Sequence, residues 1–263
     1  MKYLVYVCSI IVICFLFVSP ISAIEGVGTC DSPYVITNPT ELQFISSDLD
    51  AYFILGNDID LTGIEWMPIG YDSPPFVGHL DGRNHTISNL FIDLPDESYV
   101  GLFRALGSGA LVQNINFYNA TIFSYDESGC LAGIVYTNFG TYEQAHIVNI
   151  NIDNSYFSGE GNYMGGMIGC IYVYSDVCIS YCLLTHTKIE SSLMPGFVVG
   201  SVRANSVVHI EDSVIDSNHL VILNRYTAFT KIYRFCVDLM NCPSYVKKWF
   251  DSNELTCKLD ELK

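Results

Sequence analysis

A parallel β-helix is the fold this sequence predicts, on three observations. Short apolar strands end at Gly, Asn or Asp, as in Tyr52 to Leu61 and Phe76 to Ile92; these residues turn the chain where a bulky side chain resists positive φ. Gly-x-apolar steps recur at Gly101-Leu102, Gly133-Ile134, Gly166-Met167 and Gly200-Ser201, 32, 33 and 34 residues apart. Helical spacing is absent from the same region. A period of that length marks an array whose units bury their faces only by stacking. A β-sandwich would instead bring strands every ~8–12 residues without the longer period.

Within each repeat a second strand is expected at Asn89-Leu90-Phe91-Ile92, Asn114-Ile115-Asn116-Phe117 and Asn149-Ile150-Asn151-Ile152, with weaker copies at Tyr181 and Asp212. This register places Asn89, Asn114 and Asn149 above one another as a corner ladder, bonded amide to amide. A third strand carries Ile122, Phe157, Ile189 and Leu220 at nearly the same intervals. Leu102, Ile134, Met167 and Val202 are expected to form one interior column. Ahead of the repeats, Asn38-Pro39-Thr40-Glu41 has the capping residue, first-turn proline and first-turn acid of a helix start. A short helix over Thr40 to Ser46 is therefore expected to cover the first coil.

The run L-x-N-D-I-D-L-x-G from Leu55, W-x-P-I-G from Trp66 and F-x-G-x-L-D-G-x-x-H-x-I-x-x-L from Phe76 resembles extracellular proteins carrying the GLUG motif. The resemblance covers about Val35 to Leu220 and implies a right-handed parallel β-helix. Only Gly165-Gly166 keeps that family's doubled glycine. Some members are bacterial surface proteins or immunoglobulin-cleaving metallopeptidases in which the repeats are accessory. No H-E-x-x-H occurs in this chain, so the resemblance carries no peptidase activity over.

The ends and the composition bound the rest. Lys2, an apolar run from Tyr3 to Val18 and a small-residue site at Ala23 read as a secretory signal over 1–23, with Ile24 the first mature residue. The competing reading is an uncleaved N-terminal anchor, the one route to a membrane. Residues 24–79 read as an N-terminal cap with first strands, 80–224 as the repeats and 225–263 as an irregular, cysteine-containing C-terminal cap. The body 24–224 holds 4 basic and 23 acidic residues, the tail 7 and 5. That balance excludes nucleic acid as a partner. Eight cysteines follow residue 23: Cys30, Cys130, Cys170, Cys178, Cys182, Cys236, Cys242 and Cys257. An even number in an exported chain suggests disulfides, although Cys182 falls on an apolar strand position and suits a core thiol. The spacings provide no paired zinc motif, and no calcium loop occurs, so neither metal nor cofactor is expected.

Asp58, Asp60, Asp81 and His85 gather in the leading motif, and two carboxylates flanking a bond could hydrolyse a glycoside. Yet Leu80-Asp81-Gly82 and Asn57-Asp58 are also what a turn needs, with the carboxylate bonding its own backbone. Asn84-His85-Thr86 and Asn119-Ala120-Thr121 are glycosylation sequons, Asn84 being in the clearer turn. Together these features predict a secreted or cell-surface module that binds, adheres or supports rather than catalyses. The expected partner is a glycan or another surface protein, met by carboxylates and by Tyr136, Tyr142, Tyr172 and Tyr174. The competing class is a polysaccharide lyase or glycoside hydrolase on the same scaffold.

Overall fold

The computed structural model describes residues 24–71, 73–137, 143–161, 163–191, 196, 198–204, 206–216 and 231–240. The signal segment 1–23, Leu220, Tyr142, Cys242 and Cys257 lie outside these residues, as does most of 225–263.

The chain opens with β1 (Tyr34–Ile36), helix α1 (Pro39–Phe44) and a 3-10 turn (Ile45–Ser47). Asn38 accepts from the Glu41 amide at 3.0 Å, while Glu41 Oε2 accepts from the Thr37 amide and hydroxyl at 2.7 Å each. This reciprocal cap stabilises a helix too short to persist alone. Leu42 and Ile45 are fully buried, so the cap seals the first coil as expected. The residues before it also cover the free edge of β1, where Val35 N–H donates to the Glu25 carbonyl.

Coils follow in order. The first holds β2 (Tyr52–Leu55) and β3 (Ile59–Asp60); the second β4 (His79–Asp81), β5 (Thr86–Ser88), β6 (Phe91–Leu94) and β7 (Phe103–Leu106). The third holds β8 (Leu111–Tyr118), β9 (Thr121–Ser124) and β10 (Ala132–Val135), and the fourth β11 (Ala145–Asp153), β12 (Tyr156–Gly159) and β13 (Ile168–Ile171). Next come β14 (Asp176–Ser180), β15 (Leu183–Thr185), β16 (Lys188–Ser191) and β17 (Val199–Val202), then β18 (Val207–Asp216) and β19 (Lys231–Met240). Every strand pairing is parallel. The long first face runs through β1, β2, β4, β8, β11, β14 and β18; β6, β9, β12 and β16 form the second, and β7, β10, β13 and β17 the third. This is a parallel β-solenoid. Bridges from Glu65 to Phe91, Ile69 to Phe103 and Phe76 to Leu106 carry the first coil onto the second and third faces, so it stacks continuously across residue 79. Of the tail, β19 pairs in parallel with β18.

The corners explain the asparagines. Asn114, Asn149 and Tyr181 all have φ between 53° and 57°, a left-handed conformation that asparagine tolerates better than other side chains. The bend resets the inward alternation, so Val112 and Ile115, or Ile147 and Ile150, both point inward across one corner residue. Asn89, Asn119, Asn154 and His186 repeat the device five residues later, with φ of 43° to 57°. There are thus two stacked corners per coil. Asn149 Nδ2 reaches Asn114 Oδ1 at 2.9 Å and Asn84 Oδ1 at 3.0 Å, while Asn119 Nδ2 reaches Asn89 Oδ1 at 2.6 Å. The expected ladder of Asn89, Asn114 and Asn149 is corrected in one member. Asn89 belongs to the later corner, and Asn84 takes its place beside Asn114. In the second coil the sequence Gly82-Arg83-Asn84-His85 makes a wider turn than in later coils, which disguises the alignment. Replacing Asn114 by Ala should cost about 2 kcal/mol, one part lost bonds and one part left-handed backbone. A loss below 0.5 kcal/mol in urea unfolding would show that the ladder carries no stability.

The interior column is also corrected. Register places Leu102 with Leu131, Met167 and Val198, and Val202 with Leu106, Val135 and Ile171. Ile134 lies instead in a column with Ala105, Cys170 and Ser201. The repeating unit is G-x-apolar-apolar-G: Gly129 to Gly133, Gly165 to Gly169 and Gly196 to Gly200. The even spacing read from the sequence had alternated between the second and last positions of this unit. At the last position a Cβ on Gly133 would lie 2.0 Å from the Tyr99 carbonyl carbon, and one on Gly169 2.1 Å from that of Glu127. Glycine there lets the connection between the second and third faces lie directly on the next coil.

Candidate functional site

The sequence-predicted acids are taken up by turn and corner groups, partly their own and partly those of the next coil. Asp58 Oδ1 accepts from Thr86 N–H at 2.9 Å and meets His85 Nδ1 at 3.1 Å. Asp60 Oδ1 accepts from the Thr62 amide and hydroxyl at 2.9 and 2.7 Å and from Asn89 Nδ2 at 2.8 Å. Asp81 accepts from Arg83 N–H at 2.8 Å, Gln113 at 3.1 Å and Asn114 at 3.0 Å. Thr86 and His85 lower the Asp58 pKa, and Asn89 and Thr62 lower that of Asp60. Neither is the raised-pKa acid that glycosidic cleavage needs. Because these pKa values fall on folding, their stabilisation is complete above about pH 4, the unfolded value, and is lost as pH drops through the folded values. An Asp58→Asn/Asp60→Asn variant should therefore show a flatter stability profile below pH 4 than the wild type in acid titration of unfolding. Superimposable slopes would reject the linkage.

The disulfide expectation is corrected for the described cysteines: Cys30, Cys130, Cys170, Cys178 and Cys182 all carry thiols. Cys130, Cys170 and Cys182 are buried strand or near-strand residues, and burial pushes Cys170 and Cys182 up to about 12. They act as small apolar side chains. Among the described residues no group of three or more His, Cys, Asp or Glu is arranged to hold a metal ion.

A group missed in the sequence joins four coils. Glu127, with φ 48° and a side chain only 8% exposed, pairs with Arg203, whose guanidinium lies 5.3 Å from the Tyr163 ring centroid. Burial and the neighbouring Glu127 push Tyr99 up to about 12. The partners are 76 residues apart in sequence, so no local motif marks them. The pair clamps a connection to the third face.

The outward residues of the second face make the most distinctive surface. Ile92, Ile122 and Phe157 point inward and are fully buried, which sends their strand neighbours outward. Register gives two outer columns: Phe91, Thr121, Tyr156 and Lys188, beside Asp93, Phe123, Ser158 and Glu190. Rings occupy them alternately. Phe91 and Phe123 are 6.4 Å apart at 75°, and Phe123 and Tyr156 6.0 Å apart at 74°. These edge-to-face contacts hold three half-buried rings in fixed positions. At one end Tyr156 O–H donates to Glu190 at 2.6 Å, and Lys188 pairs with Glu190 while lying 5.4 Å from the Tyr156 centroid. The opposite end continues to Glu65. Of the tyrosines expected to recognise a ligand, Tyr172 and Tyr174 are exposed on the turn after β13, whereas Tyr136 packs against the Cys170 group. Both sequons lie at the corners: Asn84 Oδ1 and Asn119 Nδ2 are each engaged in the amide bonds described above.

Fold and surface together define a β-solenoid with a rigid aromatic stripe along one face. Sequence comparison places 130 residues at 30% identity with a protein of Evansella cellulosilytica named as a Gly-rich membrane protein, covering 46% of this chain and 15% of that one. Over 117 residues the chain is 38% identical to halomucin of Haloquadratum walsbyi, covering 41% of this chain and 1% of halomucin. The chain therefore matches a small share of either relative's length. A solved structure from Bacteroides ovatus named as an immunoglobulin A1 protease superposes with a TM-score of 0.48 at 20% identity, covering 72% of this chain and 68% of that one. No family model matches the chain.

Proposed function

We propose that this chain is a non-enzymatic binding module displayed outside the cell, and that the second face recognises a glycan. The carrying observation is the stripe of Phe91, Phe123 and Tyr156. Because successive rings stand about 75° to one another, apolar sugar faces meet ring faces and ring edges in turn, while Asp93, Ser158, Thr121 and Glu190 beside them exchange hydrogen bonds with hydroxyls. Export through the apolar segment 1–23 agrees with the relatives' names, which are those of a membrane protein and of a mucin. Among the described residues no helix is long and apolar enough to cross a membrane. Intact-mass analysis of secreted protein should show a chain starting at Ile24, and recovery of Met1 in membranes would favour an anchor.

The binding test is a polysaccharide array probed with the full chain and with Phe123→Ala, sugar release being assayed in the same wells. Phe123 faces outward, so the variant should fold normally and lose at least tenfold in affinity, about 1.4 kcal/mol. Retention of every glycan at wild-type strength would reject the site. Release of reducing or unsaturated ends would replace the binding reading with an enzymatic one.

A further inference from the structure

We infer that the bound glycan is an extended, equatorially linked neutral chain lying along the solenoid axis, with one sugar over each coil from Phe91 to Tyr156. The inference rests on the glycan reading above and adds the ligand's class, direction and minimum length.

The rings supply the geometry. Each of three successive coils contributes one ring, and successive strands are ~4.8 Å apart, so the stripe advances along the axis rather than along a strand. Phe91 and Tyr156 share one column and Phe123 stands in the other, two residues along the strand. The row is therefore a zigzag of period two. In an extended β-1,4-linked pyranose chain each sugar is turned by about half a revolution from the last, so side groups alternate left and right with the same period. An α-1,4-linked chain coils and leaves a straight stripe after a few units. Length is set by the number of rings, because each sugar added over a ring gains a contact until the stripe ends.

Charge selects among extended chains. Among the described residues the face carries Glu65, Asp93 and Glu190 against one cation, Lys188, which is paired with Glu190, and the whole chain has a formal charge of −16. Uronates and sulfated chains would meet uncompensated like charge. Neutral hexoses and N-acetylated amino sugars would not, and their hydroxyl and amide hydrogens find acceptors at Asp93 and Ser158.

The test is calorimetry of the full chain with cello- and chito-oligosaccharides of one to six units, maltohexaose and oligogalacturonate. In at least one β-linked series affinity should rise at least tenfold from one to three units and level off by five. Maltohexaose and oligogalacturonate should each bind at least tenfold more weakly than that hexamer. Phe123→Ala, at the centre, should abolish the length dependence; Tyr156→Phe, which keeps the ring and loses the hydroxyl, should retain it. Equal affinity for monomer and hexamer, or preference for maltohexaose or oligogalacturonate, would overturn the axial assignment while leaving a glycan-binding face. Absence of binding to every sugar, with the array also blank, would remove both.

Discussion

Ile150→Asp is expected to abolish folding at neutral pH. Ile150 lies in β11 just after the left-handed Asn149, is fully buried, and stands opposite Ile115 of the previous coil. The next coil places the buried Cys182 above it, so the two neighbours in its column offer no partner for a carboxylate. Removing the side chain forfeits about 2–3 kcal/mol of apolar burial. An unpartnered carboxyl adds on the order of 2–7 kcal/mol even in its neutral form. The sum approaches the whole stability of an ordinary domain, about 5–15 kcal/mol. Coils on either side depend on this one for their shared interfaces, so loss in the middle spreads in both directions. Circular dichroism and urea unfolding should show no cooperative transition, while Ile150→Val should retain one with a loss of about 1 kcal/mol. A wild-type transition in Ile150→Asp would place the residue at the surface and break the register.

Gly169→Ala should also be strongly destabilising, by a smaller amount and for a different reason. Gly169 does not need positive φ; it needs the absence of a Cβ, which would fall 2.1 Å from the Glu127 carbonyl carbon and 2.2 Å from its oxygen. The obstacle is backbone, held by the ion pair of Glu127 with Arg203, so it cannot swing aside as a side chain could. Overpacking of this kind costs about 3 kcal/mol. Gly63 is the control: a Cβ there meets nothing within 4 Å, but its φ is +76°. Gly63→Ala should cost only ~1–2 kcal/mol, the price of a left-handed alanine. Chemical denaturation of both variants separates the two origins, and a smaller loss at Gly169 than at Gly63 would mean that the covering connection is not fixed.

Much of the candidate surface was hidden by the way strands are read. Ile122 and Phe157 are legible in the sequence as apolar members of a third strand, but nothing there singles out Phe123 or Tyr156, and only the register sets them with Phe91 on the outer face. The tyrosines that the sequence offers as ligand contacts lie between the repeats; of these Tyr172 and Tyr174 are exposed and Tyr136 packs against Cys170. Of Asp58, Asp60, Asp81 and His85 only Asp58 and His85 meet, across adjacent coils; Asp60 and Asp81 each bond the amide two residues on, the local turn chemistry that a sequence shows directly.

What the sequence determined by itself was therefore the class of architecture and the parts that act over a few residues. Periodic Gly, Asn and Asp between short apolar strands demanded a stacked array, and Asn38 to Glu41 demanded a helix cap. Register was decided only in three dimensions. A coil varies in length as its corners widen, as at Gly82 to His85, so equal sequence spacing between Gly101, Gly133, Gly166 and Gly200 did not mean equal position. Which asparagines stack, which glycines lie under a neighbouring connection and which rings share the outer face all depend on pairing between strands some thirty residues apart. Those pairings are chosen by the buried columns as a whole, since sliding one strand by a single residue would turn its entire apolar face outward.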